Sequence, residues 1–353
     1  MNVHVAAYTV PTEAPESDGT AEWDRTTLVL VELEHRAVRG MGYTYADDAT
    51  ARAVQFLAPH LSELSPYNTR SIFRTCVTTL RNHGRGGASA MAISAIDCAA
   101  WDLKARLLGV PLAHLLGTVR PEVPAYGSGG FTSLSEAQLC DQLSRWADDG
   151  FSAVKMKVGR GKDLERVRAA RKAIGRGTEL FVDANGAYDR KQALQFASGF
   201  SEAGVTWFEE PVVKTDLDGL RLLRDRTSME ITGGEYAWEP ADFLALIPVL
   251  DVVQADATRC GGITGFLDAH ALISAHELPM SSHCAPALHV ALGCALPAVR
   301  HLEWFFDHQR IERMLFDGAP QPERGMLRPD LSRPGLGLEL KRKDAERWIS
   351  NGR

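Results

Sequence analysis

The chain lacks any close pair of cysteines, any long apolar run and any surplus of positive charge, and each lack excludes a class of function. Its six cysteines form no C-x-x-C or C-x-x-x-C pair in 353 residues. No disulfide framework is expected, and a reducing, cytoplasmic setting fits. No apolar run approaches the roughly 18 residues of a membrane-crossing helix, which excludes a membrane partner. The first twenty residues lack the basic patch and apolar core of a secretory signal. A formal net charge of -6 gives no reason to expect a nucleic-acid partner, whose binding surfaces are strongly basic. It leaves room for an anionic small substrate, because a bound cation reverses the field locally. Glycine-rich phosphate fingerprints are absent too, so no organic cofactor is implied. What remains, 45% apolar and 24% charged residues, is the composition of a globular enzyme with one large domain and a smaller one.

The first 47 residues predict β-structure. Residues 3–10 form one strand candidate, and 26–34 with 38–46 read as a hairpin. The segment between, PTEAPESDGTAEWD, reads as a mobile loop in which Trp23 is the one side chain large enough to touch a ligand. Helical patterns follow at 50–62, 68–82 and 90–108, the last rich in Ala and Ser and so able to approach a neighbour closely. From about residue 123 to 315 the pattern becomes strand alternating with helix. Eight strand candidates (PAYGSG, AVKMKVG, LFVDANG, TWFEEP, ITGGEY, DVVQADA, LPMSSH and RHLEWF) are interleaved with helical stretches at 135–149, 163–175, 190–203, 239–247 and 263–276. This reads as a parallel barrel. The stretch GLGLELKR at 335–342 is a last strand candidate, able to return to the N-terminal sheet.

The steps from Lys157 to Asp183, Asp183 to Glu209 and Glu209 to Glu235 are each 26 residues, about the length of one βα unit. Each of the three acids ends an apolar run, which in a parallel barrel places it at the C-terminal face, where active sites sit. Three converging carboxylates repel one another unless a cation lies among them. All-oxygen ligation selects Mg²⁺, with Mn²⁺ as a substitute, over zinc. A solvated strand end or a helix cap explains any one of these acids alone, but three at equal spacing do not fit that account. Glu210 competes with Glu209, yet strand alternation turns it the other way. Asn185 either donates to a ligand or caps the loop.

Lys155 and Lys157 share one face of a strand, an arrangement costly in a barrel interior unless both reach its mouth. One would neutralise a substrate carboxylate and depress the pKa of the other, making it a base. Across the barrel, Asp256 and His283 end adjacent strands, so Asp256 can fix the tautomer of His283 and raise its basicity. His301 and His308 read as structural. Glu303 would accept a hydrogen bond from a substrate hydroxyl or, if protonated, stabilise an oxyanion. Arg259 would bind a substrate carboxylate or anchor Asp256 or its loop.

Together, Lys155-Met156-Lys157, Val182-Asp183-Ala184-Asn185, Trp207-Phe208-Glu209-Glu210-Pro211, Gly234-Glu235, Asp256 with Gly261-Gly262-Ile263-Thr264-Gly265, Ser281-Ser282-His283 and His301-Leu302-Glu303-Trp304 form a highly specific set. Over essentially its whole length the chain resembles the mandelate racemase subgroup of the enolase superfamily. The resemblance implies an α/β fold: a modified (β/α)7β TIM-type barrel over 119–322, with an α+β capping domain over 1–118 that the segment 323–353 completes. It implies Asp183, Glu209 and Glu235 as metal ligands, and Lys157 and the Asp256–His283 dyad as bases. Lys155 would neutralise the carboxylate, and Glu303 would touch substrate or intermediate. The racemase itself carries lysine where this chain has Arg259, so an identical substrate pocket does not follow. A homo-oligomer, dimer or octamer, is implied as well.

The expected chemistry is removal of the proton α to a carboxylate, with the metal stabilising the resulting enediolate. Loss of a β-hydroxyl then gives a 2-keto acid; the resemblance to the subgroup's sugar-acid dehydratases implies an aldonate or aldarate as substrate and a 2-keto-3-deoxy acid as product. Reprotonation on the opposite face would instead make a racemase or epimerase, and a non-catalytic sugar-acid binding protein is the reading from another class. The resemblance further implies that the early loop of the cap, with Glu22, Trp23 and Asp24, and the hairpin after it, with Tyr43 and Tyr45, lie near the substrate. The acids there favour a monocarboxylate polyol.

Overall fold

The computed structural model describes residues 1–350, so the last three residues of the expected C-terminal return lie outside the described part. The N-terminal strands β1 (Asn2–Ser17), β2 (Glu22–His35) and β3 (Val38–Tyr45) form an antiparallel meander. Helices α1 (Asp48–Leu57), α2 (Thr69–Thr79), α3 (Ala88–Leu108) and α4 (Leu112–Leu116) follow. The small residues of α3 let it lie almost on the sheet. A Cβ on Gly40 would come within 2.2 Å of the Leu103 backbone, and one on Gly42 within 2.3 Å of the Ala95 carbonyl.

The barrel strands are β4 (Val123–Ser128), β5 (Ala153–Lys157), β6 (Glu179–Asp183), β7 (Val205–Glu209), β8 (Glu230–Gly233), β9 (Val252–Ala255), β10 (Met280–Ser282) and β11 (Val299–Phe305). They pair in parallel in chain order, and β11 closes on β4. Seven helices intervene: α5 (Glu136–Asp148), α6 (Asp163–Ile174), α7 (Arg190–Glu202), α8 (Leu217–Arg226), α9 (Pro240–Leu246), α10 (Gly262–Ala275) and α11 (Pro286–Ala295). This is the expected (β/α)7β barrel with its α+β cap. Tyr126, Phe181 and Trp207 fill its floor. No described helix is long and apolar enough to cross a membrane.

Two expectations change. The segment after residue 10 is not a loose loop: β1 continues through a register irregularity, and Glu16 and Ser17 pair with Trp23 and Glu22, leaving only residues 18–21 as the tip. Pairing satisfies the backbone that composition alone assigned to solvent. Likewise the C-terminal strand candidate does not join the N-terminal sheet. Glu339–Leu340 pairs antiparallel with Phe316–Asp317, and the return to the cap is made by other contacts. Leu336 N–H donates to Asp102 at 2.6 Å, Arg342 pairs with Glu32, and Ser350 N–H donates to the Ala7 carbonyl at 2.8 Å.

Cap and barrel are joined through buried polar groups of α3. Asp97 accepts from the Thr264 N–H at 2.8 Å and from its hydroxyl at 2.7 Å. Burial pushes its carboxyl up to about 7 from 3.8, against the pull of those hydrogen bonds. A raised acid holds its extra proton only in the folded chain. That contribution is complete below the unfolded value and is lost as pH rises through the folded one. Between pH 5 and pH 8, stability should therefore fall by on the order of 2 kcal/mol more in the native chain than in Asp97→Asn. Urea unfolding at the two pH values checks this, and parallel curves would refute it.

Candidate active site

Seven consecutive barrel strands deliver one chemical group each to the C-terminal mouth. In order around the ring these are Lys157, Asp183, Glu209, Glu235, Asp256, His283 and Glu303, on or just beyond the ends of β5 to β11. Lys157 pairs in register with Asp183, and Asp183 with Glu209, so the 26-residue spacing becomes a level row of side chains. All seven are buried.

Asp183, Glu209 and Glu235 each offer a carboxylate oxygen, and these lie within 4.8 Å of one another. Trp207 Nε1 donates to Glu209 Oε2 at 2.9 Å, and Asn185 N–H donates to Asp183 Oδ1 at 2.8 Å, which orients both acids. Glu235 Oε2 is buried without a hydrogen-bond partner, although His283 Nε2 lies 3.2 Å away; the contact lacks hydrogen-bond alignment. Burial raises Glu209 to about 7 despite Lys155, whereas Lys157 and Lys155 hold Asp183 below the carboxylate range against burial. An all-oxygen trio with an unsatisfied buried oxygen fits a hard divalent cation.

The lysines behave differently from expectation. Lys155 Nζ sits 2.6 Å from Glu209 and 2.8 Å from Glu303, and Lys157 Nζ sits 2.5 Å from Asp183. Burial and, for Lys157, the charge of its neighbour do lower the ammonium form. The surrounding carboxylates outweigh both, so the two lysines are raised rather than depressed. As the structure stands, the Lys157 ammonium is held by Asp183.

On the opposite flank, His283 Nδ1 meets Asp256 Oδ2 at 2.8 Å. Burial lowers His283, but Glu235 and Asp256 raise it overall. Asp256 stays well below its usual range, since His283 and Arg259 overcome its burial. Arg259 acts here as an anchor: Nη1 reaches the Glu235 carbonyl at 3.2 Å, and Nε lies 3.6 Å from Asp256. Glu303 accepts from Ser128 at 2.6 Å and from the Cys284 N–H at 2.8 Å. With Lys155 beside it, its carboxyl is held well below the usual range against burial, surroundings that suit an acceptor rather than a proton donor.

A cavity of about 340 Å³ opens above this row. Lys157, Asn185, Glu235, Arg259, His283 and Glu303 line it from the barrel, and Trp23, Arg25 and Tyr45 line it from the cap. Trp23 donates to Glu16 at 2.9 Å and meets Phe131 edge-on. Tyr45 stacks on His308 with ring centroids 3.3 Å apart, so His308, read as structural, is also part of the wall. Glu22 and Asp24 do not line the cavity, since they pair with Arg160 and Arg25, while Asp18 of the same segment does line it.

The hairpin tip is clamped onto the barrel mouth. Thr132 N–H donates to the Ser17 carbonyl at 2.8 Å, and Arg160 Nε donates to the Asp18 carbonyl at 3.0 Å. A Cβ on Gly19 would lie 2.4 Å from the Ala184 carbonyl and 2.7 Å from that of Val158. Because backbone cannot yield there, Gly19→Val should lift the tip, raising KM on the order of tenfold or more with a smaller change in kcat. Steady-state kinetics checks this, and an unchanged KM would show that the tip does not shape the site.

Two neighbours of the dyad were invisible in the sequence. His289 accepts from the Ala257 N–H at 2.9 Å and donates to the Cys284 carbonyl at 2.9 Å, tying together the loops that carry Asp256 and His283. Cys284, with φ 49°, places its thiol 3.2 Å from His283 Nε2. The position of His289 on the helix after β10 was the only available signal.

A closed parallel barrel with a carboxylate trio set between a lysine pair and a His–Asp dyad defines an enzyme of metal-assisted acid–base chemistry. Residues 2–117 match the mandelate racemase / muconate lactonizing enzyme N-terminal domain, and residues 138–345 match the enolase C-terminal domain-like family. The chain belongs to the mandelate racemase/muconate lactonizing enzyme family of the enolase superfamily. It is 30% identical to L-talarate/galactarate dehydratase of Salmonella typhimurium, over 96% of this chain and 88% of that protein. A mandelate racemase/muconate lactonizing enzyme-like protein from Rubrobacter xylanophilus superposes with a TM-score of 0.97 at 52% identity, covering 99% of both chains. A Streptomyces coelicolor racemase with bound magnesium superposes with a TM-score of 0.93 at 29% identity, again over 99% of both. Other relatives near 30% identity are named as dehydratases, cycloisomerases and an epimerase.

Proposed function

We propose that this enzyme is a Mg²⁺-dependent acid-sugar dehydratase. The observation that carries the reading is the unbroken row from Lys157 to Glu303, in which a lysine and a His–Asp dyad flank a carboxylate trio and Lys157, Glu235, His283 and Glu303 line one cavity. Asp183, Glu209 and Glu235 would hold the cation, which when bound polarises the substrate carboxylate and stabilises the negative charge that develops on it. Lys155 stabilises the same oxygens as a fixed ammonium. With Asp183 drawn to the cation, Lys157 gives its extra proton to solvent, and the neutral amine takes the α-proton onto Nζ. The C–O bond to the β-hydroxyl then breaks, and His283 Nε2 gives its proton so that the group leaves as water. The enol that remains takes a proton from solvent at C3 while its own hydroxyl gives one up, and becomes a 2-keto-3-deoxy acid. Asp256 keeps the His283 ring in place, and Glu303 accepts from a substrate hydroxyl.

Arg25 and Arg259 line the cavity already paired, with Asp24 and with Glu235 and Asp256, and Asp18 lines it beside them, so the substrate class is an acid sugar of either kind, aldonate or aldarate. The placement of a base on each flank also supports epimerisation of a 2-hydroxy acid as a second reading. Incubating the Mg²⁺-loaded enzyme with a panel of aldonates and aldarates should yield semicarbazide-reactive keto acid, abolished by EDTA and restored by Mg²⁺. Inversion of a panel member without keto acid would replace dehydration by epimerisation.

A further inference from the structure

Helix α12 (Phe306–Leu315) follows the last barrel strand, and its first turn brings His308 into the wall of the catalytic cavity. Aromatic rings hold the imidazole. It stacks on Tyr45 and meets Phe305 edge-on with centroids 5.0 Å apart, and the Tyr45 hydroxyl donates to the His308 carbonyl at 3.3 Å. The residue is buried, and its Nδ1 has no hydrogen-bond partner. An unpaired buried nitrogen is costly, and the cavity is the open side from which a partner can come. The polar side chains that the cap brings to the same wall are already engaged. Asp18 accepts from the N–H groups of Thr20 and Ala21, and Arg25 donates to Asp24. Thr26 donates to Asp307, and Thr27 shares a hydrogen bond with Thr9. Burial, with the charges of His283 and Arg259, holds the His308 imidazolium well below its usual range against Asp256 and Glu303. A neutral imidazole has one donor and one acceptor nitrogen, which suits a hydroxyl. A second carboxylate would instead meet Asp18 and an arginine tied to Asp24.

We propose that His308 is a specificity-determining residue: a ring nitrogen hydrogen-bonds a substrate hydroxyl beyond C3, so that the enzyme prefers an aldonate to the matching aldarate. In the acid-sugar reading, on which this assignment rests, the substrate carboxylate lies at the trio and the far end of the chain points toward the cap, where His308 meets Tyr45. His308 does not touch the reacting atoms. It reads the far end of the substrate, while the row from Lys157 to Glu303 acts on the near end.

The test is calorimetric titration of the Mg²⁺-loaded enzyme with a panel of hexonates, D-gluconate and D-galactonate among them, and with the aldarates of the same configuration. The best-bound hexonate is then compared with its analogues lacking one hydroxyl at C4, C5 or C6, with kcat and KM for keto-acid formation measured alongside. That hexonate should bind about tenfold more tightly than its aldarate, and loss of one of the three hydroxyls should cost about the same factor, in KM rather than kcat. His308→Phe keeps a ring against Tyr45 and should make that deoxy analogue and its parent equal. His308→Gln, which has a neutral donor and acceptor, should restore part of the difference. Equal binding of the parent and all three analogues by the native enzyme would overturn the proposal without any variant. Tighter binding of the aldarate, or a hydroxyl preference that survives His308→Phe, would overturn it too. Binding in the expected order without keto acid or α-proton exchange would support His308 as the recognition residue and overturn the dehydratase reading. An enzyme that binds none of these acids would contradict both.

Discussion

Lys157→Met should lose keto-acid formation and α-proton exchange together, each by roughly 10³-fold or more, the scale of a removed general base. The substitution keeps an apolar stem of similar length inside the barrel and removes the ammonium that lies 2.5 Å from Asp183. Asp183 would then have one competitor fewer for its oxygens, so Mg²⁺ binding should be as tight as in the native enzyme or tighter. Calorimetric Mg²⁺ titration alongside a keto-acid assay separates the two effects. A variant that loses activity because it no longer binds Mg²⁺ would make Lys157 a structural support of the trio. A variant that retains α-proton exchange would remove it as the base.

His283→Asn should split the two reactions. Dehydration should fall by roughly 10³-fold, because the hydroxyl would depart without its proton donor. Exchange of the α-proton should continue through Lys157, which lies on the other side of the trio. Asparagine retains a donor toward Asp256, so the pair that now spans 2.8 Å need not leave a bare buried carboxylate. Loss of exchange and dehydration to the same degree would place His283 on the α-proton itself. Full dehydration in the variant would remove it from the mechanism.

The row of site residues was legible because it rests on two periodicities. Inward-facing residues alternate along each strand, as Lys155 with Lys157 and Trp207 with Glu209 do, and βα units repeat at nearly constant length. Both are local and survive in one dimension. The outer layer was less legible. Helix α11, PALHVALGCA, is buried along its entire length and so shows no polar face for a pattern to reveal. Helix α8, with Gly219 and an acidic start, is not among the helical stretches the pattern brought out. The hairpin tip was misjudged because Pro, Gly and Asp composition reports local preference, while the clamp on Ser17 and Asp18 comes from Thr132 and Arg160, more than a hundred residues away. His289 and Cys284 were missed for a related reason. Their roles depend on which loop they face, and only the closed ring fixes that.

The central claim is that the trio and its two flanking bases remove the proton α to a sugar-acid carboxylate. Proton NMR of the aldonate and aldarate panel in D₂O, with Mg²⁺-loaded enzyme, tests it most directly. For at least one panel member the account predicts loss of the α-proton signal and formation of a 2-keto-3-deoxy acid carrying solvent deuterium at C3. An enzyme with Mg²⁺ bound that leaves every α-proton in place across the panel, and forms no keto acid, would contradict it.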